Sequence, residues 1–385
     1  MFELSDEQIR IKNEVKEFCK REFHPEIALE LEMKEEYPLE IYRKAARLGL
    51  TCVSFPKEYG GRGCGFLEAC LVVEEMCRAD STLGAAVSAG NYGSELILAY
   101  GTEEQKEKYL PPICRGDYLS AAAFTEPSGS DLTQIKTRAE RCGDKWLING
   151  TKTFVLNATL ANFIIVLAQT DPAASPPYKG ETLFVVDREK PGLAIRKQSG
   201  KMGIRCCVTG EVTLKDTEVT DQNIVGRLNN GFYQTISFLN KYRIFVAAQA
   251  VGMAQGAWEI AFNYAQQREV SGKPLIEHQL IGCSLAEAAT KIEAARTLTY
   301  RAAALVDAGK LDSTLAAMAK LYASRVAVEV TDFTIQALGG RGYFTEYRVE
   351  RYHRDAKVTE IYEGTSEIQK LTILKNLLKK GKDIT

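Results

Sequence analysis

Three long alanine-rich stretches constrain the C-terminal part of this chain: Phe232 to Arg268, Glu277 to Ala308 and Ser313 to Leu338. Each repeats apolar residues at helical spacing, and a last helix is expected after Gly364. Helices of this length hide their apolar faces against one another, which predicts a four-helix bundle. Residues from Ser5 to about Arg115 also read as helical. Ser5 and Gln8 have capping-box spacing, and Ile9, Val15, Phe18 and Cys19 then line one face. Helical patterns recur over Leu39 to Leu48, Phe66 to Cys77 and Glu103 to Leu110, interrupted by glycines at 60, 61, 63 and 65.

Near Tyr118 the texture changes. Short β-branched runs appear at Phe163 to Leu167, Leu183 to Val186, Leu193 to Arg196 and Val212 to Leu214. Asn149-Gly150, Pro176-Pro177 and Pro191-Gly192 are read as turns between strands, and Asp171 to Lys179 as a proline-rich solvent loop. The expected organisation is α+β and multidomain: an N-terminal α domain (1–117), a middle antiparallel β domain (118–229) and a C-terminal helical bundle (230–385).

Composition narrows the function. The chain has 385 residues, 45% hydrophobic and 26% charged, enough for two or three packed domains. A net charge of −1 gives no general pull toward nucleic acid or an anionic membrane. Ten cysteines without regular spacing, with Cys206 and Cys207 adjacent, read as reduced thiols of a cytoplasmic protein. His24, His278 and His353 stand far apart in sequence, so no metal site is expected. No run reaches membrane-span length. Phe2 and Leu4 lead straight into a helix, which leaves no room for a signal peptide.

The chemistry centres on Ile361-Tyr362-Glu363-Gly364-Thr365-Ser366. Here a carboxylate precedes a glycine, and hydroxyls follow at the start of a helix. Such hydroxyls cap free N–H groups, and a helix N-terminus favours anions such as phosphate. One turn can therefore present a base and lie beside a phosphorylated group. Upstream stand Thr125-Glu126-Pro127-Ser128-Gly129-Ser130-Asp131, then Arg268 before Ser271-Gly272-Lys273-Pro274, with Gln279 following. Gln336-Ala337-Leu338-Gly339-Gly340-Arg341-Gly342 and Arg354-Asp355-Ala356-Lys357 complete the set. In this order and spacing, from about Leu4 to about Leu378, the motifs resemble the flavin-dependent acyl-CoA dehydrogenase family.

The resemblance implies FAD, an acyl-CoA substrate, an electron-transfer flavoprotein or similar acceptor, and a homotetramer built through the bundle. It implies α,β-dehydrogenation to the 2-enoyl-CoA, with Glu363 as base and hydride transfer to flavin N5. The Glu363 N–H and a flavin ribityl hydroxyl would polarise the thioester carbonyl. Some relatives carry the base at the position of Tyr242 instead; no carboxylate stands there, which leaves Glu363. Arg243 matches a residue near CoA and the active-site wall, and its alternative is a solvated helix charge. Implied cofactor contacts are Phe124, Thr125, Ser130, Phe154, Leu156, Arg268, Gln279, Gln336, Gly339, Gly340, Thr365 and Glu367. Arg268, Gln336, Gly339 and Gly340 would serve a FAD held by a neighbouring subunit; Gly339-Gly340 also reads as a helix-ending turn. Implied substrate contacts are Ser130, Tyr92, Phe238, Tyr242, Arg243, Tyr362 and Gly364.

Several positions depart from the family. The turn after Pro127 is one residue shorter, Ala122 replaces an aromatic, and Ser271 replaces a phenylalanine. Phe154-Val155-Leu156 replaces the usual Trp-Ile-Thr/Ser, which removes a hydroxyl near flavin N5. That change is either tolerated drift or a sign of a shifted flavin potential or a different acceptor. The segment Ser81 to Ser94, read as a loop lining the acyl pocket, holds no lysine or arginine, which disfavours dicarboxylic acyl groups. Tyr92, Glu95, Phe238 and Tyr242 narrow the expected pocket toward short, branched or cyclic acyl groups. The alternatives are an acyl-CoA oxidase, disfavoured because the chain ends after the bundle, and a non-catalytic flavin-bearing binding protein.

Overall fold

The computed structural model describes residues 3–382. Phe2 and the outermost residues of the expected first and last domains lie outside the described residues.

Helix α1 (Asp6–Glu22) starts at the Ser5–Gln8 capping box, with Asp6 and Glu7 in its first turn and Lys20 and Arg21 in its last. Helices α2 (Pro25–Lys34), α3 (Leu39–Arg47) and α4 (Phe66–Ala79) follow. The free N–H groups of Phe66 and Leu67 at the start of α4 are taken by Asp307, far along the chain (2.5 and 3.0 Å). Helix α5 (Ser81–Ser88) occupies most of the segment read above as a loop. It escapes a periodicity reading because all eight of its residues are buried, so it has no polar face. Gly84 lets it pack backbone to backbone: a Cβ there would stand 2.5 Å from Met76 and Cys77 main-chain atoms. Helices α6 (Ser94–Tyr100) and α7 (Glu103–Arg115) close this region. Helix α7 continues past Leu110 through Pro111 and Pro112, carried by the buried Ile113 and Cys114, and ends at Gly116.

The β region is a seven-stranded sheet: β1 (Ser120–Ala123), β2 (Arg138–Cys142), β3 (Lys145–Leu156), β4 (Phe163–Gln169), β5 (Glu181–Asp187), β6 (Leu193–Gln198) and β7 (Thr209–Thr220). The order is β1-β4-β2-β3-β7-β6, with β5 paired to β4. The expectation of antiparallel pairing holds for β2–β3, β3–β7, β4–β5 and β6–β7. It is corrected at β4, which pairs parallel with both β1 and β2. Asn162 sets the β1 pairing: its side chain accepts from the Leu119 N–H (3.0 Å) while its own N–H reaches Leu119 O (2.8 Å). Asn149-Gly150, expected as a turn, instead sits at a bulge inside β3. A second bulge in β3, between Lys152 and Val155, holds Phe154 at φ 55°.

The bundle consists of α8 (Gly231–Gln267), α9 (Gln279–Asp307), α10 (Ser313–Leu338) and α12 (Ser366–Lys382). The short hairpin β8 (Glu269–Val270) and β9 (Lys273–Pro274) joins α8 to α9, and α11 (Val349–Ala356) precedes the catalytic-looking turn. One apolar core runs through α1, α4, α5, α8, α9 and α10. A second core joins α6, α7, β4 and β5 to α8. Tyr92, Phe124, Phe238 and Tyr242 belong to that second core.

Candidate active site

Glu363 stands in the turn between α11 and α12. Ile361 and Tyr362 bond back to Val358 O (2.8 and 3.1 Å). Glu363 at φ 55° and Gly364 at φ 91° are then consecutive left-handed residues. A glutamate in that region is uncommon and marks a backbone held by its surroundings. Three elements hold it. Arg243 Nε of α8 donates to Glu363 O (3.2 Å), Lys320 Nζ of α10 donates to Gly364 O (2.8 Å), and Gln369 Nε2 of α12 donates to both oxygens (3.2 and 2.7 Å). Arg243 is buried and also donates to Asn240 Oδ1 (2.7 Å), so it is no solvated helix charge. No acceptor among the described residues takes the Glu363 N–H.

The Glu363 side chain is half-buried. Its Oε1 accepts from the Tyr92 hydroxyl (2.8 Å), while Oε2 is buried without a partner. Burial pushes the carboxyl up to about 7, against the pull of Tyr92, Arg243 and Lys320. Burial also brings the Lys320 ammonium down to about 8, although Glu363 favours its charged form.

Aromatic rings wall this carboxylate. Tyr92 packs edge-on against Tyr242 (4.7 Å) and Phe238 (5.4 Å), and Phe124 lies 6.1 Å from Phe238. The Tyr362 hydroxyl donates to Gln249 Oε1, and Gln249 Nε2 reaches Ser88 Oγ (3.4 Å). Behind Phe238 and Tyr242 opens a cavity of about 310 Å³ that Glu95 and Lys241 also line. Burial raises the Glu95 carboxyl to about 7.

On the sheet side, Thr125 is half-buried and its carbonyl accepts from Thr153 N (2.9 Å). Ser130 is exposed beyond a tight Glu126–Gly129 turn, closed by Gly129 N donating to Glu126 O (2.9 Å). Phe154 is 72% exposed on its bulge, and Leu156 packs against the aromatic wall. Lys152 lies fully buried beneath, donating to Phe124 O (3.1 Å) and Glu126 Oε1 (3.0 Å). Glu126 in turn accepts from the Lys136 and Thr137 N–H groups (2.7 and 2.8 Å). The shortened turn is thus tied down from below.

Arg268, Gln279, Gln336, Gly339 and Gly340 lie at the bundle tip, whereas Thr365 and Glu367 follow the Glu363 turn into α12. Arg268 and Gly340 line one open groove of about 530 Å³ with Tyr264, Arg341 and Tyr347. Gly339 (φ 61°) ends α10, and its N–H bonds to Gln336 O. Gln336 and Gln279 are exposed, the latter at the start of α9. Thr365 Oγ1 accepts from Ile368 N (3.5 Å), and Glu367 is exposed. Among the described residues, no hydrogen bond or ring contact joins the tip to the Glu363 turn. The sequence reading missed Lys320, Gln369, Gln249 and Lys152. Lys320 had one available signal, a lone cation among Ala316, Ala317, Ala319 and Ala323 on α10.

Comparisons with known proteins place the chain and its fold in one family. The acyl-CoA dehydrogenase N-terminal, middle and C-terminal domain models match residues 5–117, 121–217 and 229–378. A 3-(aryl)acrylate reductase of Clostridium sporogenes is 40% identical over 96% of this chain and 98% of that protein. The CarC subunit of a caffeyl-CoA reductase-Etf complex from Acetobacterium woodii is 39% identical over 98% of this chain and 99% of its own. Among solved structures, butyryl-CoA dehydrogenase from Megasphaera elsdenii superposes with a TM-score of 0.93, at 37% identity, over 98% of this chain and all of that one. A glutaryl-CoA dehydrogenase from Mycobacterium smegmatis, solved with FADH2, gives 0.91 at 29% identity over 97% and 95%. These relatives and the fold define an oxidoreductase acting on acyl-CoA. The chain belongs to the acyl-CoA dehydrogenase family.

The family is FAD-dependent. The residues present fit that cofactor. A Cβ on Gly129, Gly339 or Gly340 meets nothing within 4 Å, which leaves main chain open to a ligand at both expected contact regions. Arg268 supplies a cation at the second. Among the described residues, no helix is long and apolar enough to cross a membrane.

Proposed function

We propose that this protein catalyses FAD-dependent α,β-dehydrogenation of a short, branched or cyclic acyl-CoA to the 2-enoyl-CoA, with Glu363 as the base. The observation that carries the reading is the Glu363 turn: a left-handed carboxylate fixed through its backbone by three helices, with its acid strength set near neutrality. A base whose pKa lies near the working pH combines ionisation with proton affinity. Glu363 takes the α proton, and its unengaged N–H donates to the thioester carbonyl, where negative charge develops. Bound FAD supplies the acceptor for the hydride that leaves the β carbon. Thr125, Ser130, Phe154 and Leu156 would hold the flavin side, with Phe124, Thr365 and Glu367 nearby. Arg268, Gln279, Gln336, Gly339 and Gly340 would reach a neighbouring subunit's cofactor. Tyr92, Phe238, Tyr242 and Tyr362 would shape the acyl site, and Arg243, Gly364 and Ser130 would border the substrate.

The same groups serve enoyl-CoA reduction in reverse. The names of the Clostridium and Acetobacterium relatives favour testing that direction as well. The Etf complex of the second supports an electron-transfer flavoprotein as partner. A homotetramer would cover apolar side chains exposed on the bundle, among them Leu280, Tyr343 and Leu371. The domain limits 1–117, 118–229 and 230–385 fit the change from helices to sheet and back, and free cysteines fit a cytoplasmic setting.

The test is to mix the yellow protein anaerobically with straight short-chain, branched, cyclic, aryl and dicarboxylic acyl-CoAs and follow flavin absorbance. Rapid bleaching by a straight short-chain, branched or cyclic acyl-CoA supports the reading and identifies the class; bleaching by the aryl or dicarboxylic thioester alone would keep the dehydrogenation and overturn the substrate class. Absence of bleaching by all of them, and of reoxidation of the reduced flavin by the matching enoyl-CoAs, would overturn it.

A further inference from the structure

The contact between Tyr92 and Glu363 joins distant parts of the chain, and both ends are pinned. Tyr92 lies between α5 and α6. Its N–H bonds to Ala89 O (3.2 Å), and its carbonyl accepts from Ser120 Oγ (3.2 Å). Gly93 follows at φ 95°, where a Cβ would press on Ala122 at 2.9 Å. The Tyr92 ring is 6% exposed and wedged edge-on between Tyr242 and Phe238. Its hydroxyl therefore has little freedom, and it reaches Glu363 Oε1 at 2.8 Å. Burial and Glu363 itself hold the phenol far above its ordinary range, so it remains a donor. Arg243 and Lys320 approach the same turn but donate there to main-chain carbonyls, and Arg243 donates otherwise to Asn240 Oδ1. Among the described residues, Tyr92 is thus the side chain that hydrogen-bonds the carboxylate, and it leaves Oε2 bare.

We propose that Tyr92 is a positioning residue for proton transfer: its hydroxyl ties down Glu363 Oε1 and thereby assigns Oε2 as the atom that takes the substrate's α proton. This rests on the reading of Glu363 as base. The α C–H bond breaks, the proton goes to Oε2, and the electron pair moves toward the thioester carbonyl as the enolate. A carboxylate with one oxygen fixed presents its second at a set place, which a freely turning side chain does not.

Other charged and titratable groups face Glu363 as well. Arg243 of α8 and Lys320 of α10 favour its charged form. Glu95 of α6 and Glu363 oppose each other, with Lys241 beside Glu95. Tyr242 and Tyr362 feel the Glu363 charge. Changing Tyr92 alone leaves these in place.

The test is a titration of Glu363 in the FAD-loaded protein by difference infrared spectroscopy. The Glu363 carboxyl band is the one that Glu363→Gln abolishes. Tyr92→Phe keeps the ring and deletes the donor. It should move the midpoint to higher pH by about tenfold in ionisation constant, the scale of one charge-assisted hydrogen bond. 3-Fluorotyrosine at position 92 is a stronger donor and should move it to lower pH. Anaerobic flavin bleaching should shift its pH profile in the same directions, with FAD content unchanged. A midpoint that stays put in both variants overturns the proposal, even where acyl-CoA still bleaches the flavin. Shifted midpoints in a protein that no acyl-CoA bleaches would uphold the contact and overturn the dehydrogenase reading instead.

Discussion

A carboxyl group whose pKa sits near 7 is half proton-loaded at neutral pH, and this fixes how Glu363 should behave. The base is the charged form. Below pH 7 its population falls about tenfold per unit, and above pH 8 it is nearly complete. Flavin reduction by acyl-CoA should therefore rise from pH 6 to 8 and then level off, as read by anaerobic stopped-flow absorbance. A rate independent of pH over that range would contradict the assignment. Glu363→Gln keeps the shape and removes the base, so reduction should fall about 10²–10⁴-fold while acyl-CoA still binds and FAD is retained. The Glu363 turn was legible in the sequence as a candidate because a carboxylate before a glycine, hydroxyls and a new helix is a local pattern. Lys320 and Gln369 were not. Lys320 acts on the turn from α10, 44 residues away in sequence, and Gln369 from the first turn of α12; a lysine or glutamine on a helix reads as surface until its partner is seen.

The turn is an element in its own right, and Gly364 is where it is most exposed to mutation. At φ 91° only glycine is relaxed, and a Cβ would stand 2.9 Å from Gln369 Nε2, the atom that holds Gly364 O. Gly364→Ala should therefore cost about 1–3 kcal/mol and loosen the base as well as the fold. Expected outcomes are a lower melting temperature and flavin reduction slowed by at least about tenfold. Unchanged melting and unchanged bleaching together would count against a held turn. The long helices α8, α9 and α10 were readable because their apolar period persists over many turns. Helix α5 was not, since a helix buried all round loses its period. The bulges of β3 were also hidden: Asn149-Gly150 is turn chemistry, and only the pairing with β7 converts it to a kink within a strand.

At the scale of the whole molecule, the Arg268 groove is not joined to the Glu363 turn by any hydrogen bond among the described residues, so its proposed role depends on assembly. Arg268→Ala should leave more FAD-free protein after extensive dialysis, measured as the flavin-to-protein absorbance ratio. Equal retention would argue against a phosphate contact. Stability should depend on pH for a separate reason. Glu181 is fully buried, both of its oxygens lack a hydrogen-bond partner among the described residues, and burial raises its carboxyl to about 8. Glu95 and Asp355 are raised to about 7. A carboxyl raised in the folded state binds its proton more tightly there than in the unfolded chain. Its contribution is complete below about pH 4, and it is lost as pH climbs through the folded value. Thermal melts should therefore show a lower Tm at pH 9 than at pH 6. Lys152, whose ammonium burial disfavours, works in the opposite direction, so the carboxylate effect needs isolating. Glu181→Gln cannot ionise. It should narrow the Tm difference between pH 6 and 9, whereas an undiminished difference would mean that Glu181 is not among the groups responsible.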